Sequence, residues 1–164
     1  MDRSNRSANT ADRWTRYRFR SVWDLGAAPV RVYAALERPE SYPQWWPQIR
    51  AVAPAAADGG GTAFIRSALP YTLRVSAAEL LRDPVRGILE VALLGDLEGW
   101  ARWTVRPRHG GTRALYEQEV EVRRPLMRVF AVPGRPLFRL NHTLMMRAGR
   151  RGLAAHLAAR PEAV

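Results

Sequence analysis

From Leu97 to Arg123 the chain alternates large apolar and charged side chains with period two, broken once at His109-Gly110-Gly111. Ala101, Trp103 and Val105 fall on one side of the first half, with Arg102, Thr104 and Arg106 on the other. In the second half Ala114, Tyr116, Gln118, Val120 and Val122 oppose Arg113, Glu117, Glu119, Glu121 and Arg123. This pattern belongs to antiparallel strands with one dry and one wet face, and it invites cross-strand pairing of the arginines with the glutamates. A dry sheet face has to be covered.

The cover follows at once in the sequence. After Pro125 the period becomes helical, pauses at Pro133-Gly134-Arg135-Pro136, and resumes from Leu137 to about Ala159 as the longest element of the chain. Helical spacing puts Leu137, Leu140, Leu144, Ala148 and Gly152 in one stripe, widened by Phe138, Met145 and Gly149. Arg139, Arg147, Arg150 and Arg151 are expected opposite it. Laying this helix across the open face of a curved antiparallel sheet buries the stripe and completes a two-layer α+β domain.

Upstream, residues 1–13 are polar and read as a flexible tail, so the expected domain runs from 14 to 159. Trp14 to Leu25 alternates like a first strand. Pro29 suits the first turn of a short helix that ends before Pro39, and a second short helix is expected near Glu40 to Trp46. Strands are then expected at Ile49–Val52, Ala63–Ser67, Tyr71–Leu81 and Arg86–Leu94. Turns at Asp58-Gly59-Gly60-Gly61, Asp83-Pro84 and Gly95-Asp96 separate them.

At 164 residues the chain can bury a core without staples, and it contains no cysteine. Disulfides, thiolate catalysis and cysteine-held metal are therefore excluded. Three histidines with no ligand-like spacing argue against a metal site. The polar N-terminus shows neither a signal peptide nor a spanning helix, so a cytoplasmic location is expected. The net charge of +11 is concentrated at the ends: residues 1–20 carry +4, residues 21–122 carry −1 and residues 123–164 carry +8. All the basic residues are Arg and none is Lys. No aromatic interleaves with the C-terminal arginines to stack bases, so nucleic acid is not the expected partner. A solvated face, or peripheral contact with anionic membrane, accounts for them instead.

Paired tryptophans occur in Tyr42-Pro43-Gln44-Trp45-Trp46-Pro47, between the helix signals and the strands. Each can remove roughly 200 Å² from water. Two adjacent rings suggest the mouth of an apolar pocket, one ring inward and one at the rim, or else a cap on a core. Gln118 interrupts the dry face of the last strand, where an amide either hydrogen-bonds within the core or addresses a ligand. His142, on the covering helix, is the best-placed group for acid–base work, with Asn141 beside it, Arg139 one turn N-terminal and Tyr116 on the sheet.

The order of strand, two short helices, antiparallel meander and long C-terminal helix resembles the helix-grip superfamily of START-like lipid-transfer proteins, polyketide cyclases/dehydrases and plant allergens, also called SRPBCC. The Tyr42–Pro47 segment is similar to the tryptophan-bearing segment of bacterial members. Leu69-Pro70-Tyr71 and Gly95-Asp96-Leu97-Glu98-Gly99 with Trp103 are similar to its meander, and Asn141-His142 to a polar pair on the long helix. The resemblance spans roughly residues 15–158. It implies a cavity between helix and sheet that binds lipids, quinones or polyketide-like molecules, without a cofactor.

The expected activity is the holding of a hydrophobic or amphipathic small molecule in a cavity of about 300–1,000 Å³. Expected wall residues are Trp45, Trp46, Tyr71 and Trp103, then Tyr116, Gln118, His142 and Met145, with Arg139 or Asn141 meeting a polar head. Two other classes stay open: a polyketide cyclase, aromatase or dehydrase in which His142 or Tyr116 moves protons, and a basic RNA- or ribosome-associated factor. A turnover assay on His142→Ala separates the first from a carrier. Salt-dependent RNA binding identifies the second.

Overall fold

The computed structural model describes residues 16–54, 61–66, 72–123 and 134–160. In chain order the elements are β1 (Arg16–Leu25), α1 (Pro29–Leu36), a 3-10 turn (Pro39–Ser41), α2 (Tyr42–Trp45), β2 (Ile49–Pro54) and β3 (Gly61–Arg66). Then follow β4 (Thr72–Asp83), β5 (Ile88–Gly95), β6 (Leu97–Arg108), β7 (Gly111–Val122) and α3 (Arg135–Ala158). The seven strands form one antiparallel, curled sheet in the order β1-β7-β6-β5-β4-β3-β2, with α3 across its concave side. This is the helix-grip α+β architecture. Trp14, residues 58–60, Ser67, Leu69, Pro70, Tyr71 and the segment from Pro125 to Pro133 lie outside the described residues.

Local chemistry explains the boundaries. Pro29 opens α1 with its φ already set, and the residue before Pro39 is biased away from helix, so α1 ends by Leu36. Gly95 and Gly110 turn the hairpins on either side of β6 with φ of 109° and 74°, values that residues with a Cβ adopt only under strain. Pro136 occupies the first turn of α3.

The register of β6 and β7 carries the expected alternation: Ala101, Trp103 and Val105 are buried, as are Ala114, Gln118, Val120 and Val122. Pairing on the wet face differs in detail. Arg102 stands opposite Glu117 but reaches the other way, to Glu90 on β5 at 2.6 Å. Arg106 stands opposite Arg113 and donates to the carbonyl of Arg86. A long guanidinium selects the nearest carboxylate or carbonyl on either flanking strand, and exposed pairs of this kind are worth at most about 1 kcal/mol.

The interior divides into two parts. Under α1, α2 and the C-terminal half of α3 lies a buried aromatic cluster: Trp23, Trp46 and Trp103 meet edge to face, with centroids 5.3 Å and 4.7 Å from Trp23. Val32, Leu36, Leu153 and Leu157 fill the space around them. Under the N-terminal half of α3 a second group, including Tyr17, Val75, Leu93, Val120 and Val122, lines walls rather than filling space.

The buried seam of α3 is His142, Met146, Gly149, Leu153 and Leu157. The expected leucine stripe is therefore out of phase. Leu137, Leu140 and Leu144 are 46%, 54% and 47% exposed, on the same outward side as Arg147 and Arg151. The phase is set by close approach. A Cβ on Gly149 would stand 2.6 Å from the ring of Trp46, and one on Gly152 would stand 1.6 Å from the carbonyl oxygen of Trp45. Only these glycines let the helix sit down on α2. Among the described residues no helix is long and apolar enough to cross a membrane.

Candidate functional site

The walls of the second part enclose a cavity of about 280 Å³ between the concave face and α3. Its sheet side comes from residues of all seven strands, such as Phe19, Ile49, Ile65, Val75, Leu93, Ala101 and Val120. Period-two alternation produces this directly, since every second side chain of a curled sheet points into the same concavity. The helix side comes from Phe138, Asn141, His142 and Met145, one face of the first half of α3. Farther along, Gly149 and Gly152 bring the helix into contact with α2 and the hollow closes.

Three polar groups meet within this apolar surround. The Tyr116 hydroxyl donates to Oε1 of Gln118 at 3.0 Å. His142 is 8% exposed, stacks on Phe19 at 3.9 Å with an interplanar angle of 13°, and has its ring centroid 6.0 Å from that of Tyr116. Its buried Nε2 has no hydrogen-bond partner. Burial lowers the imidazole pKa from 6.5 to about 4, so the ring is neutral at pH 7. Burial likewise raises the Tyr116 phenol well above its ordinary value.

The charged residues that border the cavity are matched with one another or with a neighbour. Arg82 reaches Glu79 at 2.9 Å and Glu37 at 3.9 Å, linking β4 to the end of α1 at a rim where Leu81 is partly exposed. Glu90 accepts from Arg102. Among the described residues no group of three or more His, Asp or Glu is placed to hold a metal ion.

Most of the residues singled out in the sequence border this cavity: Trp46, Trp103, Tyr116, Gln118, Asn141, His142 and Met145. Three do not. Trp45 is 4% exposed and packs against Tyr42 and Trp46 in the buried aromatic cluster, with an unpartnered Nε1, away from the hollow. Arg139 is exposed on the flank of α3 and does not line the cavity. Tyr71 lies outside the described residues. The expectation of one indole inward and one at a rim is corrected accordingly: both rings are buried. Trp46 donates from Nε1 to the Met145 carbonyl at 3.0 Å, which ties α2 to α3.

Sequence reading missed Tyr17, Phe19 and the rim triad Glu37, Glu79 and Arg82. The signal for Phe19 was present, because it shares the buried phase of β1 with Tyr17 and Trp23. The rim joins Glu37 on α1 to Arg82 on β4, far apart in the chain, and has no sequence signature.

Residues 16–160 match the family model described as polyketide cyclase/dehydrase and lipid transport. No curated protein sequence matches the chain. Among solved structures it is similar to TTHA0849 from Thermus thermophilus, with TM-score 0.71 and 19% identity over 88% of this chain and 97% of that one. It is also similar to the Zhui aromatase/cyclase from Streptomyces sp. R1128, with TM-score 0.68 and 12% identity over 86% and 93% of the two chains. A START superfamily protein from Mycobacterium smegmatis aligns with TM-score 0.65 and 16% identity over 88% and 97%. At these identities the likeness concerns the fold alone.

Proposed function

Because the chain belongs to the polyketide cyclase/dehydrase and lipid transport family, we propose that it holds a hydrophobic or amphipathic small molecule of lipid, quinone or polyketide type in the cavity between sheet and helix, in the cytoplasm. The observation that carries this reading is the cavity itself: about 280 Å³ walled by Phe, Tyr, Trp, Leu and Val side chains beside a buried tryptophan cluster. Interiors ordinarily pack to crystal density. An apolar hollow forgoes dispersion contacts and is the usual form of a small-molecule site. Native mass spectrometry and solvent extraction of the protein from its own host test the reading. A bound apolar compound at one copy per chain supports it, and a ligand-free protein that also refuses apolar probes contradicts it.

The rival reading is catalysis of cyclisation or dehydration in the same pocket, with His142 or Tyr116 moving protons. Two facts weigh against it. A base with a pKa near 4 and a phenol pushed above its ordinary value are both poorly matched to proton transfer near pH 7. Turnover of an aromatic-precursor polyketide that disappears in His142→Ala, with binding retained, reverses this preference.

Exchange of such a ligand is served by peripheral contact with an anionic membrane. The outward side of α3 supports this part of the reading, with Leu137, Leu140 and Leu144 exposed in its first half and Arg147 and Arg151 continuing the same side.

A further inference from the structure

Resting on the cavity reading above, we infer that the pocket selects an uncharged ligand through one hydroxyl group, received at the imidazole of His142 beside the Tyr116–Gln118 pair. His142 lines an apolar cavity, its buried Nε2 has no partner, and a buried polar atom left unmatched is destabilising. Next to it, Oη of Tyr116 donates to Gln118 and keeps lone pairs free to accept.

Which ligand group fits is decided by charge and by donor–acceptor count. A neutral imidazole presents a donor at one ring nitrogen and an acceptor at the other, and a hydroxyl satisfies either because it donates and accepts. A carboxylate or phosphate only accepts. Among the described residues it would also enter a space whose lining arginine, Arg82, is already held by Glu37 and Glu79 at the rim, while Arg102 is held by the lining residue Glu90. Arg135, near the lining residue Tyr17, stacks on that ring and donates to the Arg16 carbonyl. Burying an anion without a counter-charge costs far more than one hydrogen bond returns. An ammonium group fails for the mirror reason, since Glu90, Glu37 and Glu79 are already paired.

The volume limits the rest of the molecule. A cavity of about 280 Å³ suits a hydroxylated two- or three-ring aromatic or a single short chain better than a two-chain phospholipid.

Equilibrium dialysis of the full chain at pH 7.5 against 2-naphthol, naphthalene and 2-naphthoate tests the inference, since the three share a ring system and differ only in the polar group. The expected order is 2-naphthol tighter than naphthalene by about tenfold, the size of one well-made hydrogen bond that otherwise leaves a buried partner unmatched, with 2-naphthoate weakest. His142→Phe keeps the stack on Phe19 and should reduce the preference for naphthol over naphthalene, compared within the variant, to about threefold or less. Equal binding of naphthol and naphthalene to the native chain, or strongest binding of 2-naphthoate, overturns the inference and leaves the cavity reading standing. Failure of all three to bind overturns the cavity reading, and the inference with it. The native-chain comparison decides the matter even if the variant does not fold.

Discussion

At the scale of single residues, His142 makes the protein sensitive to acid. Its folded-state pKa of about 4 lies below the unfolded value near 6.5. Between those two pH values the unfolded chain holds a proton that the folded chain refuses, so stability falls as pH drops through that window. The full effect is on the order of 3 kcal/mol. Thermal melts of the native chain and His142→Phe should diverge as pH goes from 7 to 4, the variant being the more stable; parallel curves would show that the imidazole is not excluded from charging. Gly149 and Gly152 give a second residue-scale prediction. Alanine normally gains about 1 kcal/mol over glycine within a helix, yet a Cβ at 152 strikes backbone at 1.6 Å while one at 149 strikes the Trp46 ring at 2.6 Å. Gly152→Ala should therefore cost several kcal/mol in denaturant unfolding, and more than Gly149→Ala. Equal or stabilising effects would mean that α3 does not rest on α2 as described.

At the scale of elements, the sheet was legible and the phase of the helix was not. Two-residue alternation is unambiguous where one face is dry, which is why the buried and exposed sides of β6 and β7 read correctly from residues such as Trp103 and Glu119. On α3 the stripe of highest hydrophobicity, Leu137-Leu140-Leu144, faces outward, and the buried seam runs through a histidine and a glycine. Hydrophobicity alone ranks glycine as neutral. Here it marks where another element presses closest, so the Gly-x-x-Gly spacing at 149 and 152 was the available clue to the phase. The exposed leucines then acquire a consequence of their own. Leu140→Asp with Leu144→Asp should abolish sedimentation with anionic liposomes, and charge reversal of Arg147, Arg150 and Arg151 should reduce it several-fold in a salt-dependent way. Binding unchanged by either variant removes the membrane contact.

At the scale of the whole molecule, the fold sets a tryptophan-packed end beside a hollow one. The tryptophan cluster around Trp23 and the close seat of α3 on α2 anchor one end, and aromatic pairs of this geometry contribute about 0.5–1.5 kcal/mol each beyond their burial. That end fixes the helix while its first half packs on β1 through Phe138 and His142 and roofs the hollow over the other strands. The candidate site was legible as far as its elements went, because the alternation and the long helix together imply a space between them. Its details were not. Trp45 and Trp46 are neighbours in sequence with equal composition weight, yet only Trp46 reaches the hollow, since α2 turns the two rings to different neighbours. Likewise Arg139 looked suited to a polar head but lies on the flank of the helix, about 60° from His142 at 100° per residue.

The hollow itself is the claim on which the rest depends, and a neutral fluorescent probe reads it most directly. N-phenyl-1-naphthylamine titrated into the native chain should bind saturably at one site. Ala101→Phe, which places a ring inside the cavity from a buried position on β6, should weaken that binding at least tenfold while circular dichroism and cooperative melting stay native-like. Equal affinity in the two proteins, or no saturable binding to the native chain, would contradict a ligand cavity between sheet and helix.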